Sequence, residues 1–222
     1  MAGWAFDEGP RGKLLARGAA ALSDGELLAL LLNTGYRDCS ALDMARNLLK
    51  EFDGISNLVR SDQNRLLACA GVGPATYARL SAAMELARRQ ALQKVSSADV
   101  LTNPGATRRF LQYHLGRHRA EVLTCLFLDS QHSVLRCEDL FFGTLDGATV
   151  YPREVAVRAL QYGAAAVIFA HNHPSGVVEP SSADRRITER LCSALSLLDI
   201  RVLDHIIIGR GREYSFAEEG LL

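Results

Sequence analysis

The chain has 222 residues, of which 48% are hydrophobic, and 25 Lys/Arg balance 25 Asp/Glu. Zero net charge gives no bulk electrostatic drive toward nucleic acid, so any such contact has to come from a local patch. No run of about 18 apolar residues exists to span a membrane, and the amino terminus shows no basic region followed by an apolar core. Cys39, Cys69, Cys125, Cys137 and Cys192 are odd in number and never spaced C-x-x-C. They read as reduced, mostly buried thiols of a cytoplasmic protein, not as a disulfide framework or a cysteine zinc knuckle.

The first part of the chain, 1–94, is predicted to be an all-α domain, helical from residue 23. Ser23-x-x-Glu26 is a capping-box signature ahead of an apolar run at Leu27–Leu32, with Gly35 as a natural stop. Ser40-x-x-Asp43 opens a second helix that ends near Gly54, and Ser61-Asp62 opens a short third one through Leu67. Gly71-Val72-Gly73-Pro74 is a tight turn with proline at the first position of a helix to about Lys94. Residues 95–99 are polar and aperiodic and read as a linker. The glycine turn resembles the hairpin of a helix-hairpin-helix module. That likeness implies DNA backbone contact through Gly71, Gly73 and Arg79, within residues 71–89, with Arg88 and Arg89 adding charge. The competing reading is a structural corner with solvated arginines.

From residue 100 to 222 the pattern turns α/β. A helix is expected near 105–116, with Phe110, Leu111 and Leu115 on one side. Strands are expected at 121–128 and 134–142, joined as a hairpin by Asp129-Ser130-Gln131-His132. A helix opens at Pro152, and the continuous apolar run 164–170 reads as a buried strand. A helix from Ser182 to Leu198 and strands at 200–209 and 214–216 complete one mixed sheet flanked by helices. His114, His118 and His132 lie in polar surroundings and read as surface residues.

The segment His171-Asn172-His173-Pro174-Ser175-Gly176, with Ser181 and Asp184 beyond it, carries the chemistry. Residues two apart on an extended chain share a face, so His171 and His173 project together from the strand end. Asn172 points the other way and holds the loop. Ser181 reads as an N-cap and Asp184 sits in the first helical turn, where a carboxylate is favoured. Two imidazoles and one carboxylate form a three-ligand set that leaves a position for water, as at a catalytic zinc; the set also suits non-haem Fe(II).

This pattern resembles the JAMM motif of MPN-type metallopeptidases, and the whole chain is similar to the bacterial RadC family. The likeness rests on Leu14-Leu15-Ala16-Arg17-Gly18, Ala21-Leu22-Ser23-Asp24, Gly71-Val72-Gly73, Phe127-Leu128-Asp129, Gly143-Thr144-Leu145, Pro152-Arg153-Glu154 and Leu203-Asp204-His205-Ile206-Ile207-Ile208-Gly209. The resemblance implies an MPN-type sheet after the helical domain, and one zinc ion held by His171, His173 and Asp184. It also implies Glu121 as general base, with Glu154 as the rival, and Ser181 as the hydroxyl that steadies an oxyanion. A peptide or protein substrate follows from it. The alternative is a DNA-repair protein with a non-catalytic zinc site. His205, beside Asp204 in an apolar strand, is either an orienting group behind a ligand or a satisfied core histidine.

Overall fold

The computed structural model describes residues 9–96, 100, 104–143 and 150–222. Thr144 and Leu145, which contribute to the family likeness, and residues 97–99 of the expected linker lie outside them. The chain divides into two compact units, 1–86 and 87–222.

The first unit is helical: α1 (Pro10–Arg17), α2 (Asp24–Leu32), α3 (Ala41–Glu51), α4 (Ile55–Val59), α5 (Gln63–Leu67) and the first half of α6 (Pro74–Ser96). Ser23 and Glu26 form the full capping box of α2, and Ser40 and Asp62 cap α3 and α5. Leu28, Leu32, Met44, Leu48, Phe52 and Leu58 fill its core. Helix α2 stops at Asn33, which takes a positive φ of 68°, rather than at Gly35. Asparagine tolerates that left-handed turn better than other non-glycine residues. Helix α6 continues past Lys94 to Ser96, and Ala91 and Leu92 pack into the core of the second unit. The later turns of this helix thus belong to the α/β unit, although the apolar pattern alone assigned it wholly to the helical one.

The second unit is a five-stranded sheet in the order β2-β1-β3-β4-β5. Its strands are β1 (Val122–Leu128), β2 (Val134–Phe142), β3 (Ala166–Asn172), β4 (Arg201–Ile208) and β5 (Glu213–Ser215). Strand β1 runs antiparallel to both β2 and β3, while β3 and β4 are parallel. Parallel neighbours need a crossover, and α9 (Ser182–Ser196) supplies it. Helix α7 (Pro104–Leu115) packs Phe110, Leu111 and Leu115 on the face carrying Val122, Leu126, Ile168 and Ala170. Helix α8 (Pro152–Tyr162) and α9 cover the other face, against Leu123, Phe127, Val167 and Phe169.

Strand β3 lies two residues later than the apolar run suggested, so it includes His171 and Asn172. Ladder pairing on both edges, to Leu123 and to Ile207, keeps His171 in extended backbone. His114 is a correction to the surface reading: it is buried, stacked on Phe110, and joined to Asp139 at 2.6 Å. It continues the inward stripe of Phe110, Leu111 and Leu115, and the carboxylate on β2 makes its burial affordable.

Candidate metal centre

Strand parity builds the site. His171 lies opposite Leu123 in the β1·β3 ladder, so Glu121, two residues earlier, emerges on the same face. Strand β3 ends at Asn172, and His173 is held beyond it by its N–H donating to the Ile208 carbonyl at 2.9 Å. Asn172 points to the opposite face. Its Oδ1 accepts from the Val122 N–H at 2.8 Å, and its Nδ2 donates to the carbonyls of His118 and Ala120. The residue between the two histidines therefore clamps the segment that leads into Glu121.

His173 is aimed by the loop after it. Its Nδ1 lies 2.7 Å from the Val177 carbonyl, which only accepts, so Nδ1 carries a proton and Nε2 is the nitrogen turned toward the site. That loop presses on the end of β4. A Cβ at Gly209 would stand 2.6 Å from the Gly176 carbonyl oxygen and 2.5 Å from Val178, so a side chain there would drive the anchor away from His173.

Asp184 reaches the same point from α9. Ser181 Oγ accepts from the Asp184 N–H at 3.1 Å, and the Ser181 N–H donates to Asp184 Oδ2 at 2.7 Å. The cap uses a lone pair of the serine oxygen and leaves the O–H to be donated. Capping and oxyanion stabilisation therefore draw on different parts of one hydroxyl, and the two tasks expected of Ser181 do not conflict.

The three side chains converge. His171 Nε2 lies 3.0 Å from His173 Nε2 and 3.2 Å from Asp184 Oδ1, and His173 Nε2 lies 3.5 Å from Asp184 Oδ2. Ligand atoms at about 2.0–2.1 Å from a tetrahedral ion stand about 3.4 Å from one another. The observed separations of 3.0, 3.2 and 3.5 Å are close to that edge length, so the donor set fits one such ion. Burial lowers the pKa of His171 against the pull of Asp184, while hydrogen bonding to Asp184 raises that of His173. Burial opposes ionisation of Asp184, yet the two imidazoles hold its carboxyl far below the usual carboxylate range. Two ring nitrogens and a carboxylate facing one another are a set that one cation could share.

Behind His171 is a buried chain that sequence reading did not assemble. His171 Nδ1 lies 2.9 Å from His205 Nε2, and His205 Nδ1 lies 2.6 Å from Thr188 Oγ1. Thr188 also donates to the Asp184 carbonyl at 2.6 Å. Thr188 sits one turn below Asp184 on α9. Its place in an apolar stripe with Ile187 and Leu191 was the one available signal.

Of the two glutamates considered as base, Glu121 contributes negative field to both His171 and His173. Glu154, on the first turn of α8, pairs with Arg153 and Arg158 of its own helix. A second group, His114, His118 and Asp139, is also close enough to share an ion, but the atoms that would face the ion are already hydrogen-bonded. Asp139 Oδ1 lies at hydrogen-bond distance from both His114 Nε2 and the Thr124 hydroxyl, and the Arg117 Nε–H donates to His118 Nε2 at 3.2 Å.

In the helical unit, Gly71, Gly73 and Arg79 have structural work. Gly71 takes a φ of +82°, and a Cβ there would stand 2.7 Å from Tyr36 Cβ. The Gly73 carbonyl accepts from the Tyr77 N–H in the opening turn of α6. Arg79 donates to the Leu32 carbonyl at the end of α2 and to Thr76 Oγ1.

Comparison with known proteins agrees with this architecture. Residues 101–221 match the RadC-like JAB domain, and residues 1–78 match the UPF0758 N-terminal region. A UPF0758 protein of Tolumonas auensis is 52% identical over 219 residues, spanning 99% of this chain and 98% of the relative. UPF0758 proteins of Thioalkalivibrio sulfidiphilus and Nitrosococcus oceani are each 53% identical with the same coverage. The chain therefore belongs to the RadC family, as a RadC-like JAB domain preceded by a UPF0758 N-terminal region.

Proposed function

We propose that this protein is a zinc-dependent hydrolase of the JAMM type that cleaves a peptide or isopeptide amide. The observation that carries the reading is the convergence of His171 Nε2, His173 Nε2 and the Asp184 carboxylate at 3.0–3.5 Å, from three anchored positions. His171, His173 and Asp184 would hold the ion, which when bound supplies Lewis acidity toward water and the scissile carbonyl. Zinc is the ion preferred for two imidazoles and one carboxylate with an open position.

The chain's own groups do the rest. Glu121 is the base: it stands at the head of β1 on the site face, half-buried, with its field acting on both histidines. Its carboxylate takes a proton from the attacking water and returns it to the leaving amine. Ser181 donates its O–H to the substrate oxygen as charge develops there. Asp184 and His171 are almost fully buried, at 2% and 0% exposure, and stay fixed while this happens. His173 and Ser181 face outward, where a polypeptide arrives.

A peptide-library cleavage assay on zinc-loaded protein tests the reading. Cleavage should be chelator-sensitive and fall by about 10²–10⁴-fold in Glu121→Gln, the usual worth of a general base, with zinc content unchanged. Ser181→Ala should lower turnover by about 10²-fold or more, as loss of an oxyanion donor does. Unimpaired cleavage by the Glu121 variant would remove that residue from the mechanism, and loss of activity in Glu154→Gln alone would install its rival.

A further inference from the structure

The two contacts at Thr188 Oγ1 determine where protons lie behind the metal centre. Thr188 Oγ1 is 2.6 Å from the Asp184 carbonyl and 2.6 Å from His205 Nδ1. Two contacts this short on one oxygen each need a proton between the heavy atoms. A hydroxyl has one to give, and the carbonyl has none. The threonine proton therefore goes to the Asp184 carbonyl, and the other proton belongs to His205 Nδ1.

The remaining steps follow along the chain. His205 has no exposed surface and lies between Phe169 and Phe216, where a buried cation is disfavoured, so with Nδ1 protonated its Nε2 is an acceptor. The partner of that acceptor at 2.9 Å is His171 Nδ1, which must then carry a hydrogen. His171 is equally buried, so its Nε2 is left with a lone pair, directed at His173 Nε2 and Asp184 Oδ1.

We propose that Thr188 and His205 are positioning residues that fix His171 as its Nδ1–H tautomer and aim its Nε2 lone pair into the site. The consequence for metal binding rests on the reading given above. The arrangement joins two ligands that come from different elements. The carbonyl that orients the threonine belongs to Asp184 on α9, and the nitrogen that is oriented belongs to His171 on β3. A ligand histidine is ordinarily oriented by a carboxylate, a carbonyl or water; here a second neutral histidine and a hydroxyl do it within a buried stack. Thr188→Val keeps the shape and removes the acceptor from His205 Nδ1–H. Burying that donor without a partner is costly, so the His205 proton should move to Nε2. His171 then accepts at Nδ1 and carries its proton on Nε2, pointing at the ligand position.

Two measurements on the full chain test this. In metal-free, histidine-¹⁵N-labelled protein, two-bond ¹H–¹⁵N spectra should show His171 and His205 both as Nδ1–H tautomers. In Thr188→Val both should become Nε2–H, and Thr188→Ser should restore the original pair. Affinity for zinc alone, measured by chelator competition, should fall about 10–100-fold in Thr188→Val and return to near the wild-type value in Thr188→Ser. An Nε2–H tautomer at His171 in the metal-free wild type overturns the proposal, whether or not the variant folds. Unchanged tautomers in Thr188→Val overturn it as well. If the tautomers behave as described while zinc binds to none of the proteins, the proton arrangement stands and the hydrolase reading falls.

Discussion

Asn172→Ala is the substitution whose effect the structure fixes most closely. Asn172, 4% exposed, satisfies three backbone groups: the Val122 N–H at 2.8 Å, the Ala120 carbonyl at 3.0 Å and the His118 carbonyl at 3.3 Å. Val122 is 1% exposed, so its N–H finds no water once the amide is gone, a loss of about 1–3 kcal/mol. The two carbonyls lie toward the surface, where hydration recovers part of their loss, roughly half a kcal/mol to one each. The sum is about 3 kcal/mol, which for a unit of this size lowers Tm by roughly 10 °C. The local effect is sharper than the global one, because the released segment runs straight into Glu121. Calorimetry and amide exchange read both. The variant should melt roughly 10 °C lower, the Val122 amide should lose protection, and zinc affinity should change little because His171 keeps its ladder and His173 its bond to the Ile208 carbonyl. A melting temperature within ~2 °C of wild type, with the Val122 amide still protected, would refute the claim that this side chain clamps the approach to Glu121.

Three further outcomes follow. Burial alone would raise the pKa of Asp139, but hydrogen bonds from His114 and Thr124 hold it down at about 2, against 3.8 for a free side chain. Its contribution is present above the unfolded value and disappears as pH falls from about 4 to about 2, costing about 2 kcal/mol. Urea titrations across that window should show a flatter pH dependence for Asp139→Asn than for wild type. Gly71→Ala places a Cβ at φ +82° and 2.7 Å from Tyr36 Cβ, so the helical unit should lose about 2 kcal/mol or more, read by chemical denaturation. Arg79→Ala frees the Leu32 carbonyl from its charged donor and should cost about 1–2 kcal/mol in the same assay, with Arg79→Lys recovering only part.

The convergence of His171, His173 and Asp184 was legible in the chain because it depends on local periodicities. His171 and His173 share a face through the two-residue repeat of a strand, and Ser181-x-x-Asp184 announces a helix start three residues before its carboxylate. The mixed sheet was legible for the same reason: strands β1 and β3 are mostly apolar, as strands covered on both faces are. What escaped depends on register between distant segments. Thr188 and His205 meet only because α9 crosses over to place β4 beside β3, with Phe169 opposite His205, and no spacing along the chain encodes that pairing. His114 was misread because its own side chain is polar, whereas its neighbours one turn back on the helix, Phe110 and Leu111, place it on the apolar side. Helices α1 and α4 were passed over because they are short, eight and five residues, and offer little periodicity to detect.

The central claim is that His171, His173 and Asp184 form one metal centre, distinct from the His114–His118–Asp139 group. Elemental analysis of protein stripped with chelator, reloaded with zinc and desalted tests it most directly. The account predicts one zinc per chain, lost in His173→Ala and in Asp184→Asn, and retained in His118→Ala. Zinc absent from the reloaded wild type, or lost from the His118 variant while the His173 variant keeps it, would contradict the account.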